Sequence, residues 1–342
     1  MAKYTIVLDA MGGDNAPLSS VLGAVSAISE NSDIKIILTG DKEQIEACFK
    51  GVDVPAFDSN RLEIAHASQV IDVNETPTVA IKEKKDSSIV VGLNLLKENR
   101  AEAFVSAGNT GAVLTGGTLI VGRIKGVLRP ALATLLPTKT GYVFLCDSGA
   151  NVDSKPEFLV QFAKMGEIYM ENVLKVEKPR VHLVNIGEEA EKGNVLTKEA
   201  YELLKNSNVN FCGNIEAREI MSGEADVIVC DGFVGNVILK HTEGLASTLM
   251  SIIKNELMST TKSKIGALLA KGAFKNIRKK FDYKEIGGAP FLGLKQLVVK
   301  AHGSSDEKAI KSAINQAYTF ISNNITKKIE EELGVTKEHD VK

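Results

Sequence analysis

The sequence predicts an α/β fold in which helices cover both faces of a mainly parallel sheet. Short apolar runs alternate with helix-length amphipathic segments along the 342 residues, and this alternation is typical of parallel sheets. Hydrophobic residues make up 44% of the chain, which is typical of a globular core and not of disorder. Neither a repeat nor a Pro- or Ser-rich linker divides the chain. We therefore predict one large domain over 1–342, with a division into two lobes left open.

The predicted strands are apolar runs that end in small or polar residues. In chain order they read YTIVLDA, IKIILTG, EAFVSAGN, LATLLP, YVFLCDSG, RVHLVNIG, ADVIVCDG and LVVKAHG. Apolar residues at helical spacing predict helices over 17–29, 87–99, 156–174 and 197–206. LATLLPTKTGYVFLC predicts an antiparallel hairpin, because only Thr-Lys-Thr-Gly separates its strands. The last long helix is expected to open at Ser304 in a capping box, and the charged tail 327–342 is expected to fray.

Six strands lead into loops rich in Gly, Asn, Asp and Ser. These loops read DAMGGDNAP (9–17), SAGNTGA (106–112), CDSGAN (146–151), NIGEEAEKGN (185–194), CDGFVGN (230–236) and AHGSSD (301–306). In an open parallel sheet such exits share one edge, where ligands bind. Each loop precedes a helix whose first N–H groups lack partners, so together they predict an anion site. For any single loop, the alternative is that Gly and Asn merely end a strand.

Several functional classes lack their motifs. No two glycines are separated by one residue and no Gly is followed by Lys, which argues against the dinucleotide fingerprint and the P-loop. Neither a G-x-S-x-G elbow nor an H-E-x-x-H motif occurs. Few aromatics and no Trp argue against a nucleic-acid platform. The cysteines are far apart, so we expect a reducing cytoplasm with neither disulfides nor a zinc site. No cofactor or metal site is predicted, and whether a divalent ion assists stays open. The amino terminus does not resemble a signal peptide.

The loop motifs, together with KPEFLVQFA, GNIEAREI and GGAPFLG, resemble in their order those of the bacterial phosphate acyltransferases of phospholipid synthesis, the PlsX family. The resemblance runs from Asp9 to about Ser322. It implies a fold like isocitrate and isopropylmalate dehydrogenases and phosphotransacetylase, a homodimer and peripheral membrane association. It also implies transfer of a long-chain acyl group from acyl carrier protein to inorganic phosphate. The acyl phosphate produced would feed a glycerol-3-phosphate acyltransferase.

The resemblance places phosphate as the nucleophile and a thioester as the activated donor. The enzyme then needs to supply positioning and charge stabilisation. The predicted phosphate-binding residues are Gly12, Gly13, Asn109, Thr110, Gly111 and Lys155. The predicted catalytic residues are His302, Asn109 and Lys155, and the predicted ligand-orienting residues are Asp9, Asp14, Asn185, Asp231 and Asn236. Two alternatives stay open: His302 as a capped structural histidine, and Lys155 as an ordinary surface lysine.

Residues 244–281 are predicted to form a protruding amphipathic helical pair. Apolar residues recur there at helical spacing, and the second helix is basic. The predicted contact residues for acyl carrier protein or an anionic membrane are Leu268, Leu269, Lys271, Lys275, Arg278 and Lys279. A dimer interface is the alternative for this segment. For the chain as a whole, the rivals are a short-chain phosphotransacylase that uses coenzyme A, a nicotinamide-dependent dehydrogenase and a non-catalytic membrane scaffold.

Overall fold

The computed structural model describes residues 2–50, 56–281 and 287–334. The strands are β1 (Tyr4–Asp9), β2 (Ile34–Gly40), β3 (Leu62–His66), β4 (Ala103–Ser106), β5 (Ala131–Pro137), β6 (Tyr142–Cys146), β7 (Val181–Asn185), β8 (Phe211–Glu216), β9 (Val227–Val229), β10 (Ala289–Leu292) and β11 (Leu297–Lys300). The α-helices are α1 (Leu18–Glu30), α2 (Lys42–Ala47), α3 (Pro77–Glu83), α4 (Ser88–Lys97), α5 (Thr110–Gly116), α6 (Pro156–Asn172), α7 (Val195–Lys205), α8 (Gly232–Leu257), α9 (Thr261–Leu269), α10 (Lys271–Phe281), α11 (Glu307–Ser322) and α12 (Ile325–Leu333).

The strands form one sheet in the order β3-β2-β1-β4-β11-β10-β5-β6-β9-β7-β8. The first five are mutually parallel, and so are the last four. Antiparallel pairings β11–β10, β10–β5 and β5–β6 join the two blocks. The predicted fold class and the β5–β6 hairpin are therefore confirmed.

Strand direction corrects one expectation. Three successive antiparallel pairings separate the blocks, and an odd number of reversals makes the second block run opposite to the first. The loops after β1, β4 and β11 consequently leave at one edge of the sheet, and those after β6, β7 and β9 leave at the other. The expectation that all six loops share one edge is wrong.

Three strands were not predicted from sequence. β3 and β8 are the outermost strands of the sheet, and their residues are mostly only half-buried, so their apolar signal is weak. β10 has four residues and includes Pro290, a residue that weakens any strand prediction because it lacks an N–H. Its place between β11 and β5 is set by tertiary pairing.

Three hydrophobic clusters pack the helices onto the sheet. The largest joins one face to α1, α6, α7, α11 and α12. The second covers the other face of the first block with α3, α4 and α5. The third packs the start of α8 against the second block through Val234, Ile238 and Leu239. Helices on both faces satisfy the burial that parallel strands require.

Two predictions about the carboxyl-terminal helices need correction. α11 is capped by Asp306, whose carboxylate accepts from the main-chain N of Ala309 at 3.0 Å, and not by Ser304. The charged segment does not fray at 327–334, because α12 buries Ile325 and Ile329 against the core. These isoleucines are four residues apart and therefore share one helix face. Residues 335–342 lie outside the described residues.

The helical arm, residues 244–281, consists of the second half of α8 followed by α9 and α10. It is therefore three helical segments and not one pair. Leu268 and Leu269 are 70% and 85% exposed, although burial is the usual fate of leucine. Across the described parts of the chain, no helix combines the length and apolar character needed to cross a bilayer.

Candidate active site

The loops after β1, β4 and β11 meet in one cluster, here called the first loop cluster. A Cβ atom on Gly12 would lie 2.5 Å from the main-chain N of Gly108. Gly13 has a φ of +100°, and its Cβ would lie 2.9 Å from the carbonyl O of Gly303. The main-chain N of Asp14 donates to that same carbonyl at 2.8 Å. Glycine is required at positions 12 and 13 because the backbones of the three loops approach one another too closely for a side chain. Main-chain groups therefore line the cluster.

Asp9 and Ser106 tie the first loop cluster to the sheet. Asp9 is 1% exposed, and its Oδ2 accepts from Ser106 Oγ at 2.7 Å. The Oδ1 of Asp9 accepts from the main-chain N of Met11. The Oγ of Ser106 in turn accepts from the main-chain N of Gly108 at 3.0 Å. Burial raises the pKa of Asp9, and the hydrogen bond from Ser106 opposes that rise. Asp9 therefore holds together the loops that follow β1 and β4. That Asp9 also orients a ligand stays a prediction.

Helix α5 begins at the first loop cluster through Asn109. The Asn109 Oδ1 accepts from the main-chain N of Ala112 at 3.0 Å, which is a helix cap. Its Nδ2 donates to the carbonyls of Asp72 and Val73, both at 3.1 Å, and of Glu75 at 3.4 Å. The whole side chain is engaged in holding α5 to the 72–75 loop. Phosphate binding by Asn109 stays a prediction, and in this structure its side chain positions the loops.

The other predicted members of this cluster differ in exposure. Thr110 is exposed at the first turn of α5. A Cβ on Gly111 would lie 2.5 Å from Cγ of Pro77, so this glycine allows α3 to pack closely on α5. The Asp14 side chain is exposed.

His302 follows β11 and is oriented by its own loop. Its Nδ1 accepts from the main-chain N of Ser304 at 3.2 Å and lies 2.9 Å from Ser304 Oγ. Because a main-chain N–H can only donate, Nδ1 carries no proton and the neutral ring carries it on Nε2. Partial burial lowers the pKa of His302, and the charge of Lys240 on α8 lowers it further. At neutral pH, the ring of His302 is therefore uncharged, with its proton on Nε2.

The loops after β6 and β9 form a second loop cluster at the opposite edge. Asp147 is fully buried and accepts from the main-chain N of Leu132 and Asn151 at 3.0 and 2.6 Å. Burial raises the pKa of Asp147, and the N–H donors oppose that rise. A Cβ on Gly235 would collide with the Asp147 carbonyl. The main-chain N of Gly232 also donates to the Asn151 carbonyl at 2.7 Å, so the two loops lock together.

The second block contains the remaining predicted ligand-orienting residues. Asp231 caps α8 by accepting from the main-chain N of Val234 at 2.9 Å. A Cβ atom added to Gly149 would lie 3.5 Å from Oδ1 of Asn236, so these two residues are neighbours. Asn185 donates to the Lys192 carbonyl at 3.1 Å and shapes the loop after β7.

Lys155 is also in the second block, exposed at the residue before α6. It therefore follows β6 and not the strands that carry Gly12 and Asn109. Lys155 thus belongs to the second block, and its binding of phosphate stays a prediction.

The two clusters nevertheless start from nearby rows of the sheet. Val298 is paired with Phe291, and Phe291 with Leu132; the main-chain N of Leu132 contacts Asp147. With a strand spacing of about 4.8 Å, and with Lys300 two residues beyond Val298, the backbones of Lys300 and Asp147 lie roughly 16 Å apart. Ligand groups on both clusters can thus belong to one extended molecule.

Sequence reasoning missed Lys300. It ends β11 opposite Ser106 and is only 9% exposed. Its Nζ donates to the carbonyls of Ala107, at 3.3 Å, and Ala301. Burial lowers the pKa of Lys300 to about 8. The available signal was a lone lysine closing an apolar run, LVVKAHG.

No three His, Cys, Asp or Glu side chains come together as a metal cluster within 2–50, 56–281 and 287–334. All four cysteines are free thiols. A cavity of about 270 Å³ between Asn99, Lys295 and Ile325 lies at the amino ends of β4 and β11. Ligands of open α/β sheets bind at carboxyl ends, so we assign the chemistry to the loop clusters and not to this cavity.

Comparison with known proteins assigns the chain to a family. The sequence profile of the fatty acid synthesis protein family matches residues 4–328. A phosphate acyltransferase of Alkaliphilus oremlandii is 54% identical over 326 residues, which are 95% of this chain and 96% of the relative. One of Clostridium acetobutylicum is 52% identical over 328 residues, 96% of this chain and 98% of the relative. The chain belongs to the phosphate acyltransferase family. This phosphate acyltransferase is therefore an enzyme of fatty acid and phospholipid synthesis.

Solved structures support the fold of the phosphate acyltransferase. A phosphotransacetylase from Streptococcus pyogenes superposes with a TM-score of 0.62 at 15% identity, covering 93% of this chain and 94% of that one. A 4-hydroxythreonine-4-phosphate dehydrogenase from Klebsiella pneumoniae superposes with a TM-score of 0.52 at 11% identity, covering 95% and 100%. The predicted dehydrogenase-like and phosphotransacetylase-like fold is thus confirmed.

Proposed function

We propose that this phosphate acyltransferase transfers a long-chain acyl group from acyl carrier protein to inorganic phosphate, giving an acyl phosphate for phospholipid synthesis. The observation that carries the proposal is the meeting of three glycine-bearing loops at the starts of α1, α5 and α11. Main-chain N–H groups at helix starts favour a small oxyanion. A family of phosphate acyltransferases requires such a site.

The reaction needs no enzyme nucleophile. A phosphate oxygen attacks the thioester carbonyl, a C–O bond forms, and the resulting oxyanion collapses with breakage of the C–S bond. The leaving thiolate then takes up a proton. Gly12, Gly13, Thr110 and Gly111 contribute main-chain groups around phosphate, and Asn109 holds their loops in place. Such preorganised donors lower the barrier because they are already aimed where charge develops.

His302 is proposed to stabilise the oxyanion. Its Nδ1 accepts from the main-chain N of Ser304, which places the proton of the neutral ring on Nε2. A neutral imidazole N–H suits a developing negative charge as a hydrogen-bond donor. The leaving thiolate is a weak base, and it takes up the proton that the attacking phosphate loses, directly or through solvent.

The second loop cluster is proposed to hold the acyl donor. Lys155 is exposed at the start of α6, and Asp231 and Asn236 open α8 on the same side. Together with Asn185 they surround the carboxyl ends of β6, β7 and β9. This assigns Lys155 to the donor rather than to phosphate.

The helical arm is proposed to contact acyl carrier protein or an anionic membrane. Leu268 and Leu269 are the most exposed leucines of the described chain, and Lys271 and Lys275 follow them along the arm, with Arg278 and Lys279 farther along α10. Positive charge together with exposed apolar side chains favours binding of the arm to an anionic, partly apolar surface. A homodimer, peripheral membrane association and delivery to a glycerol-3-phosphate acyltransferase complete the proposal.

A charge-reversal variant of the arm distinguishes contact with a membrane or acyl carrier protein from a role in a dimer interface. Lys271→Glu with Lys275→Glu is compared with Lys198→Glu plus Lys205→Glu, an equal charge change on exposed positions of α7. At ~1 kcal/mol per lysine, the arm variant should lose sedimentation with phosphatidylglycerol vesicles or raise KM for the acyl carrier. If it behaves like the α7 control in both assays, the arm is instead assigned to the dimer interface.

The decisive experiment mixes palmitoyl-acyl carrier protein with phosphate and traps acyl phosphate with hydroxylamine. Parallel arms use palmitoyl and acetyl thioesters of coenzyme A. We expect hydroxamate from the carrier-bound donor and only when phosphate is present. Product from acetyl-coenzyme A alone would establish the short-chain phosphotransacylase, which the phosphotransacetylase-like fold keeps as the alternative. Product from none of the donors would overturn the proposed function.

A further inference from the structure

A buried ammonium group stands at the carboxyl edge of the sheet beside the proposed phosphate site. Lys300 is opposite Ser106 in the β11–β4 register, and Ser106 adjoins Asp9 through a hydrogen bond. Lys300 and Ser106 are therefore neighbours in one row of the sheet. This edge is the one at which the first loop cluster forms.

The charge of Lys300 is only partly compensated. Both hydrogen bonds of its Nζ go to main-chain carbonyls, those of Ala107 and Ala301. Within the described part of the chain it makes no ion pair, and the Asp9 carboxylate is already engaged by Ser106 and Met11. An ammonium has three N–H donors, so one N–H of Lys300 has no acceptor among the described residues. Burying a charge is costly, and the nearby Asp9 and Asp14 carboxylates offset only part of that cost, since burial still lowers the pKa of Lys300. A bound anion would offset more of it.

The loop geometry explains why the ammonium is aimed at this site. Ala107 belongs to the loop after β4 and Ala301 to the loop after β11, and these are two of the three loops that form the cluster. Gly13 packs against Ala107 and Gly303 in the same place. The Nζ is thus held between the strands whose exits carry the proposed phosphate donors.

We infer that Lys300, and not Lys155, is the cation that holds phosphate in this enzyme. The inference rests on the proposed function and identifies a further ligand-binding residue for it. A dianion placed against the free N–H of Lys300 would gain a charge-assisted hydrogen bond at a desolvated site, where such bonds are strongest.

The charged surroundings support this assignment. The carboxylates of Asp9 and Asp14 stabilise the Lys300 ammonium, whereas Lys240 on α8 destabilises it. Lys240 is ion-paired with Glu243 at 2.8 Å. The charge of Lys240 acts on both Lys300 and His302, so α8 brings a second cation towards the first loop cluster, where it would add to the attraction of an anion.

The test measures phosphate binding separately from acyl transfer. Lys300→Met, Lys155→Met and the parent enzyme are assayed with phosphate varied and then with palmitoyl-acyl carrier protein varied. We expect Lys300→Met to raise KM for phosphate by roughly tenfold or more and to leave KM for the acyl carrier unchanged. Inorganic phosphate should raise the Tm of the parent and of Lys155→Met, but not that of Lys300→Met.

Each outcome bears on the inference. An unchanged phosphate KM and Tm shift in Lys300→Met, or a larger effect in Lys155→Met, would overturn it. Should Lys300→Met fail to fold, Lys240→Gln is compared with Lys262→Gln on the arm; equal phosphate KM values for these two would overturn it as well. If the parent enzyme makes no acyl phosphate but shows the Lys300-dependent Tm shift, the proposed function fails and the site assignment stands.

Discussion

Replacing the Lys300 ammonium by an uncharged side chain of similar shape should change how stability depends on pH. Lys300 is 9% exposed, and burial lowers its pKa from 10.5 to about 8. The folded state therefore binds this proton more weakly than the unfolded state. At 1.36 kcal/mol per tenfold change in affinity, the charge costs the native enzyme about 3 kcal/mol at neutral pH.

The sign of the effect follows from proton binding. Between the folded pKa near 8 and the unfolded value of 10.5, the unfolded chain holds the proton and the folded chain does not. Stability of the parent enzyme therefore rises with pH in this window, relative to a variant that cannot titrate. From about pH 7 to about pH 9.5, the parent should gain about 2 kcal/mol over Lys300→Met. Below about pH 7 the difference should be constant, since both states are then protonated.

Urea unfolding of the parent and Lys300→Met at both pH values measures this difference. Subtracting the two free energies of unfolding cancels the titration of groups that do not interact with Lys300. Equal m-values are the control that the unfolded states are comparable. A difference that stays within about 0.5 kcal/mol across this range would refute the claim that Lys300 is buried as a strained cation.

Three further substitutions follow from the packing. Asn109→Ala removes a helix cap and three loop hydrogen bonds, so it should cost about 2 kcal/mol in urea unfolding as well as activity; an activity loss at full stability would instead support direct phosphate contact. Gly12→Ala would collide with Gly108 and should lower kcat by roughly tenfold or more; wild-type kcat would show that the loops are not closely packed in solution. Ile329→Asp places a charge in the core beneath α12 and should lower stability by roughly 3 kcal/mol; an unchanged Tm would mean that α12 does not dock.

The sequence was sufficient for most of the sheet because buried strands carry a strong local signal. Of the eleven strands found in the described residues, eight were predicted, including both strands of the β5–β6 hairpin. The edge strands β3 and β8 and the short β10 were not, because pairing rather than composition makes them strands. The family also followed from sequence, since the loop motifs occur in a recognisable order.

The candidate site was only partly predictable. All six glycine-bearing loops were expected to meet, and the structure brings those after β1, β4 and β11 together through Gly12, Gly13 and Gly303. Asn109 was singled out for phosphate, yet its side chain is engaged in capping and loop contacts. Lys155 and Lys300 could not be ranked by sequence, since each is a lysine next to a glycine-rich loop.

The sequence by itself determined the layered α/β architecture, the loop chemistry at the ends of the strands and the family, because each depends on residues close together in the chain. Only the tertiary structure decided which loops share an edge, since strand direction across the sheet depends on the pairing of β10 with β5, two strands that lie far apart in the chain. It also decided which lysine is buried beside the first loop cluster. That choice is made by desolvation, a property of the surroundings that no local pattern of residues encodes.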